Sequence, residues 1–487
     1  MPVVEIAAGR LEGRRAGDGV AFEGIPYATA PRLRPPLPVD GWAGVRGALR
    51  PGPAAPQPRR AAAEFTHGER PATDEQCLNL NVFAPGLVGR RPVFVWLHGG
   101  GFATGHAGAS LYAGERLAAA ADAVVVTVNY RLGSLGWLGH PGLAAEPGAP
   151  AANWGLLDQI AALRWVRDNI VAFGGDPSQV TLAGQSAGAL SAMDLLVAPR
   201  AAGLFQRVVL QSPPLEDVAQ PPAVATAWAV AVSAAAGGAG AFDAARLRSL
   251  RADELVALHE QLLEQPEWRG TRGGALPTVD PGSLPGSPVD QPESSPDVDV
   301  LIGHTADEGT FFFDSPWRPA PPPERVPDIV AHLCPGEDAR AVLGRYHGDL
   351  VAIATDAMIA GPAARWAETR AEAVGGRSAV YRYRVDHPGA GPQLRATHTV
   401  EVPLLFGTWQ DGGPGERLGG QAPGAEVVSE EITSAWGRFV HGESPGWERE
   451  GVNQTLTNSH DSTLDTKRKS VYSFPRWAQV SAREGET

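Results

Sequence analysis

Ser186 lies in Gly184-Gln185-Ser186-Ala187-Gly188, a G-x-S-x-G pentapeptide. The apolar, β-branched run Val180-Thr181-Leu182-Ala183 leads into it. An Ala/Leu-rich, helix-favouring run follows through Leu196. Strand, sharp turn and helix form the context in which this pentapeptide presents a nucleophile at the top of a strand. Glycine is expected at 184 and 188, where a Cβ would strike the neighbouring backbone. A serine hydroxyl is a weak nucleophile at neutral pH. It needs a base beside it and hydrogen-bond donors where negative charge develops on a carbonyl oxygen. The chemistry implied is acyl transfer.

Donors are available upstream. His98-Gly99-Gly100-Gly101-Phe102 follows directly on an apolar run ending at Leu97. Three successive glycines leave amides unshielded and free to adopt unusual dihedrals. The amides of Gly100 and Gly101, with that of Ala187, are the expected oxyanion hole. The base must be a histidine and its orienter a carboxylate, both following the serine and the acid preceding the histidine. His259, His304, His332, His347, His387, His398, His441 and His460 all follow Ser186. Chain order does not choose among them.

These groups require elements to hold them. Residues 3–6 and 9–13 read as a β-hairpin, and a Pro- and Ala-rich irregular stretch extends to residue 73. Residues 78–83 alternate with period two and predict a strand. Residues 91–98 and 123–130 are more continuously apolar, the pattern of strands covered on both faces. Leu156, Leu157, Ile160, Leu163, Val166 and Ile170 recur three or four apart and predict a helix over 153–173. Strands are expected at 207–211, 298–303 and 378–385. Two or three helices are expected over 223–265, a Pro-rich loop over 276–296, more helix over 326–374 and a late helix at 432–440. The strand–helix alternation predicts a large, doubly wound, mostly parallel twisted sheet with right-handed crossovers. No internal repeat or linker breaks the chain. The expectation is one catalytic domain over 1–450 with helical insertions at about 223–265 and 326–374, then a polar tail at 451–487.

Composition narrows the partners. The 487 residues carry a formal net charge of −13, with 43% hydrophobic and 20% charged residues. That balance argues against nucleic acid or an anionic membrane surface as the main partner. The two cysteines, Cys77 and Cys334, do not make a disulfide framework. The N-terminal residues lack the basic and apolar regions of a signal peptide, and no run approaches a membrane span. A cytoplasmic, bacterial-type enzyme acting on a small molecule is expected. The residues do not specify its oligomeric state.

Several segments together resemble the type-B carboxylesterase family, which includes para-nitrobenzyl esterases and cholinesterases. Phe22-Glu23-Gly24-Ile25-Pro26-Tyr27-Ala28 is similar to the family's F-x-G-I-P-Y-A, and Glu75-Gln76-Cys77-Leu78-Asn79-Leu80-Asn81 to its E-D-C-L-x-L-N. Asn129-Tyr130-Arg131-Leu132-Gly133, Asn153-Trp154-Gly155-Leu156-Leu157-Asp158-Gln159 and Phe173-Gly174-Gly175-Asp176-Pro177 also resemble its segments. The resemblance covers roughly residues 3–440 and implies an α/β-hydrolase fold.

The resemblance also chooses the acid and the base. Glu308, in Ile302-Gly303-His304-Thr305-Ala306-Asp307-Glu308-Gly309, matches the family's acid; Asp307 is its local rival. His398, in the segment from Arg395 to Gly407, matches the family's histidine. Thr399 and Arg395 replace glycines there, and a positive φ at 399 would strain a threonine. Gln211-Ser212-Pro213 departs from the usual Q-S-G, and Pro213 removes an N–H. Cys77 matches a half-cystine of secreted relatives but has no cysteine upstream, so a buried free thiol is expected.

The resulting expectation is a serine carboxylesterase with a Ser186–Glu308–His398 triad, acting on a small-molecule ester with no metal or organic cofactor. Phe102, Ser212, Phe311 and Phe312 are candidates for the substrate pocket. An amide or carbamate hydrolase using the same triad is the alternative. A non-catalytic adhesion-type relative is disfavoured because all the reactive groups are present.

Overall fold

The computed structural model describes residues 1–68, 71–215, 218–265, 268, 274, 276–389, 393–420 and 422–447, with the backbone of 454–456. β1 (Val3–Ile6) and β2 (Gly9–Glu12) form the expected antiparallel hairpin. β3 (Arg14–Ala16) and β4 (Gly19–Pro26) follow, and β5 (Val45–Gly47) joins the first pair as a three-stranded sheet. The main sheet adds β6 (Asn79–Ala84), β7 (Arg91–Leu97), β8 (Val124–Val128), β9 (Gly175–Gln185) and β10 (Arg207–Gln211). β11 (Asp299–Thr305), β12 (Val380–Val385) and β13 (Gln454–Leu456) extend it.

The ten strands run in the order β13-β12-β11-β10-β9-β7-β8-β6-β4-β3. Every neighbouring pair from β13 to β8 is parallel, whereas β8–β6, β6–β4 and β4–β3 are antiparallel. Alternate residues of β7 feed two cores. Val93, Val95 and Leu97 pack with Leu156, Ile160 and Leu190 from the helices Trp154–Asn169 and Ala187–Val197. Phe94 and Trp96 pack on the other face with Leu405, Phe406 and Ile432, from the helices Glu401–Phe406 and Ala425–Val440. Burial on both faces explains why this strand reads as one continuous apolar run.

β6 departs from its alternating pattern, since all six of its residues are buried. Its asparagines are tolerated because they are hydrogen-bonded. Asn81 Nδ2 donates to Ala107 O at 3.1 Å and Thr127 Oγ1 at 2.9 Å, and Asn79 Nδ2 donates to Pro53 O at 2.8 Å. The stretch before residue 73, expected to be irregular, contains a short helix, Ala61–His67. The 223–265 block resolves into the helices Pro222–Ala235, Ala244–Ser249 and Ala252–Leu263. The late helix starts earlier than its apolar pattern suggests, at Ala425 after Gly424 with φ 81°. The polar tail contributes β13 to the sheet edge; His460 and the rest of 457–487 lie outside the described residues. Among the described residues, no helix is long and apolar enough to cross a membrane.

The topology sends the loops of interest to one edge. The glycine loop leaves β7 and Ser186 follows β9. Glu308 follows β11 and His398 follows β12. All four lie past the carboxyl ends of mutually parallel strands, where open α/β sheets bind ligands.

Candidate active site

β9 ends at Gln185 and the helix starts at Ala187, leaving Ser186 alone at the turn with φ 56° and ψ −123°. Its N–H donates to Gln211 O at 2.9 Å, fixing the strained residue to β10. The two flanking glycines meet the packing requirement. A Cβ on Gly184 would lie 2.3 Å from Gly188 C, and one on Gly188 would lie 2.0 Å from Leu97 O.

The glycine loop is held from several sides. Tyr130 Oη donates to His98 O at 2.6 Å, and the Thr104 amide and hydroxyl both donate to Gly100 O at 3.0 Å. Gln57 clamps Gly105, accepting its N–H at 2.9 Å and donating to its carbonyl at 3.1 Å. Burial pushes His98 down to about 3 and His106 to about 4, so both are neutral around the loop at ordinary pH. Gly100 has φ 114° and Gly101 φ 63°. Among the described residues the amides of Gly100, Gly101 and Ala187 have no hydrogen-bond acceptor. Such amides are free to receive an oxyanion.

His398 Nδ1 lies 2.5 Å from Glu308 Oε2, and both residues are buried. The other Glu308 oxygen accepts the Thr305 amide at 2.7 Å. Burial alone would raise the Glu308 pKa. Its interactions with His398, the Ser212 hydroxyl and the Thr305 amide outweigh that and hold it below the ordinary carboxylate value. Ser212 Oγ lies close enough to Glu308 to contribute, but among the described residues it is not in good hydrogen-bond geometry with any group.

Asp307, the rival acid, is turned to a different task. It accepts the Ala396 amide at 3.3 Å and lies 3.8 Å from Arg395 Nη1, tying down the histidine loop. The other described histidines bond elsewhere or face solvent. His259 meets Ser134 Oγ at 2.9 Å, His304 bonds to Thr305 O at 2.9 Å, His387 to Gly419 O at 3.1 Å and His441 to Ala121 O at 2.9 Å. His332 and His347 are exposed.

The pocket candidates separate. Phe311 and Phe312 are half-buried and flank the imidazole, each with its ring centroid 5.3 Å from that of His398. Phe102 is instead fully buried, with its ring 4.7 Å from Trp137. It belongs to the core and has no surface open to a pocket. Ser212 is also fully buried, with φ 50°, and its place is behind Glu308.

Two neighbours of His398 carry no role in the sequence reading. Gln185 Nε2 lies 2.9 Å from His398 Nε2. Glu401 is fully buried and accepts from Gln211 Nε2 at 3.2 Å. The available signals were position alone: Gln185 adjoins the nucleophile, and Glu401 lies three residues after the histidine at the start of a helix.

Comparison with known proteins finds relatives over nearly the whole chain. Residues 1–325 match the carboxylesterase family. The chain is 34% identical over 481 residues to the para-nitrobenzyl esterase of Bacillus subtilis, covering 95% of this chain and 94% of that protein. The chain belongs to the carboxylesterase family. A phenmedipham hydrolase of Pseudarthrobacter oxydans is also 34% identical, over 92% of each chain. Among solved structures, a thermophilic PNB esterase superposes with a TM-score of 0.80 at 32% identity, covering 93% of this chain and 94% of that one. The fold is therefore that of an α/β hydrolase.

Several carboxylesterase segments turn out to be braces. Arg131 donates to Asp158 at 2.8 Å through Nε and at 2.6 Å through Nη2, both side chains being buried. Tyr27 Oη donates to Asn129 O at 2.6 Å. Cys77 is a buried free thiol whose pKa burial raises. The two positions in the histidine loop where this carboxylesterase departs from the family's glycines both have left-handed backbones, Arg395 with φ 45° and Thr399 with φ 81°.

Proposed function

We propose that this carboxylesterase hydrolyses small carboxylic esters through an acyl-enzyme on Ser186, with His398 as base and Glu308 as its orienter. The observation that carries this is the hydrogen-bonded line from Glu308 through His398 to the residue adjoining Ser186, with bonds of 2.5 Å and 2.9 Å. Ser186 Oγ attacks the ester carbonyl, and His398 Nε2 takes its proton. The same proton then goes to the departing alcohol. Glu308 accepts the Nδ1–H throughout and stabilises the imidazolium. The amides of Gly100, Gly101 and Ala187 receive the charge on the carbonyl oxygen. Water, deprotonated by His398, then releases the acid and restores Ser186. Phe311 and Phe312, flanking His398, line the side from which the alcohol departs. Residues 1–450 act in this reading as one catalytic domain, with the helical blocks near 223–265 and 326–374 as insertions.

Cleavage of an amide or carbamate by the same groups is the second reading, supported by the relative named phenmedipham hydrolase. The test is release of p-nitrophenol from short- and medium-chain esters, with anilide and carbamate panels alongside. Wild-type protein is expected to be active and Ser186→Ala inert. Undiminished hydrolysis by Ser186→Ala would overturn the mechanism.

A further inference from the structure

The base that must accept the serine proton is already occupied. With Nδ1–H donated to Glu308, His398 has one lone pair left, on Nε2. Gln185 Nε2 lies 2.9 Å from it, and since Nε2 of this tautomer is an acceptor, the group facing it must be the amide N–H. Among the described residues no hydrogen bond joins the Ser186 hydroxyl to His398. Gln185 is 2% exposed and its backbone pairs with Gln211 on β10, so the side chain starts from a rigid strand end. Space for it is reserved across the site. A Cβ on Gly99 would lie 2.7 Å from Gln185 Oε1 and 2.9 Å from its carbonyl oxygen.

We propose that Gln185 is a positioning residue that holds His398 Nε2 in the resting enzyme and yields it to Ser186 when substrate binds. This rests on the serine-hydrolase reading of the site. The covalent chemistry is unchanged, with the serine proton still moving to Nε2. What Gln185 adds is a competing donor that fixes the ring until the exchange occurs.

The contact also has a sign. The ionisable groups acting on His398 are Glu308 on Nδ1 and Glu401 on the following helix; the buried Tyr383 of β12 feels both of those carboxyls. The Glu308 carboxylate attracts positive charge on the imidazole, and Glu401, which burial holds protonated up to about 7, adds to that pull only once ionised. The amide N–H of Gln185 does the opposite, because it can bond Nε2 only while that nitrogen is bare. A carboxylate at 185 would reverse this, since it accepts from a protonated Nε2 and donates nothing.

The experiment is kcat/KM for p-nitrophenyl acetate from about pH 5 to 9, with the rate of Ser186 modification by a fluorophosphonate as a second readout. Gln185→Glu is expected to move the acid limb of both profiles upward by about one pH unit or more, and Gln185→Met to move it upward by less. A Gln185→Glu protein whose acid limb stays at the wild-type position overturns the proposal. If that variant does not fold, Gln185→Met decides alone, an unmoved limb being the overturning result. Failure of the fluorophosphonate to label wild-type Ser186 would instead overturn the serine-hydrolase reading, and it is read separately.

Discussion

Glu308 Oε2 and His398 Nδ1 lie 2.5 Å apart with 0% and 3% of their side chains exposed. A hydrogen bond to an ionised acceptor in so dry a site is strong and leaves the ring one orientation. Glu308 is itself anchored by the Thr305 amide, so the pair is fixed to the end of β11. Glu308→Gln keeps the shape and removes the charge. An amide cannot stabilise the imidazolium and also allows the wrong tautomer. The expected result is a kcat lower by roughly a thousand- to ten-thousand-fold with KM little changed. Steady-state kinetics on a p-nitrophenyl ester checks this, and a fall of less than tenfold would remove Glu308 from its assigned place.

Thr399 adjoins the base and has φ 81°. A β-branched residue in the left-handed region is an outlier, and the conformation costs roughly 1–2 kcal/mol. The loop is over-determined, with the Val402 amide donating to Thr399 O at 3.0 Å and Asp307 holding Ala396. Thr399→Gly removes the clash but adds freedom to the unfolded chain worth about 0.5–1 kcal/mol. A net gain of up to about 1 kcal/mol is expected, read as a higher midpoint in denaturant. Thr399→Ala keeps most of the strain and should gain less. A Thr399→Gly protein less stable than wild type would show that the hydroxyl or methyl makes a contact worth more than the strain.

The parts of this site legible in the sequence are those fixed by backbone geometry. A turn that admits no Cβ at 184 and 188 writes itself as glycine, and a strand buried on both faces writes itself as the run around Trp96. Left-handed φ at 399 was readable only because the resemblance put glycine there, and the left-handed φ at 395 was not anticipated. Side-chain partners across the sheet leave no such trace. Nothing in Gln185 or Glu401 says that either will meet His398, since the approach depends on how β9, β12 and the helix at Glu401 are stacked. Phe102 misled for a related reason. Its place after the glycine loop suggested a pocket wall, but its ring turns inward onto Trp137.

The Arg131–Asp158 pair predicts a stability effect remote from the chemistry. Both side chains are buried and joined by two charge-assisted bonds, and Arg131 also donates to Pro31 O at 3.0 Å and Arg34 O at 2.8 Å. Asp158→Ala leaves a guanidinium in the interior without its counter-charge. A loss of about 3–5 kcal/mol is expected. The double variant Arg131→Met with Asp158→Leu should be less destabilised than the sum of its single variants. Additive losses in equilibrium unfolding would show that the two residues do not act as a pair.

Glu401 gives stability a pH dependence whose direction can be worked out. Burial, reinforced by the neighbouring Glu308 charge, pushes its carboxyl from 4.5 up to about 7, against the opposing pull of His398 and the Gln211 amide. A folded-state value above the unfolded one means that the native protein holds a proton the unfolded chain releases. The associated stabilisation is fully present below about 4.5 and is lost as pH rises through about 7. Its size is about 3 kcal/mol. Glu401→Gln retains the shape and cannot ionise, so its stability should exceed that of wild type by an increment that grows from pH 4.5 to 8. Denaturant unfolding at several pH values across that interval checks it. A difference between the two proteins that does not change with pH would show that Glu401 is ionised in the native state throughout.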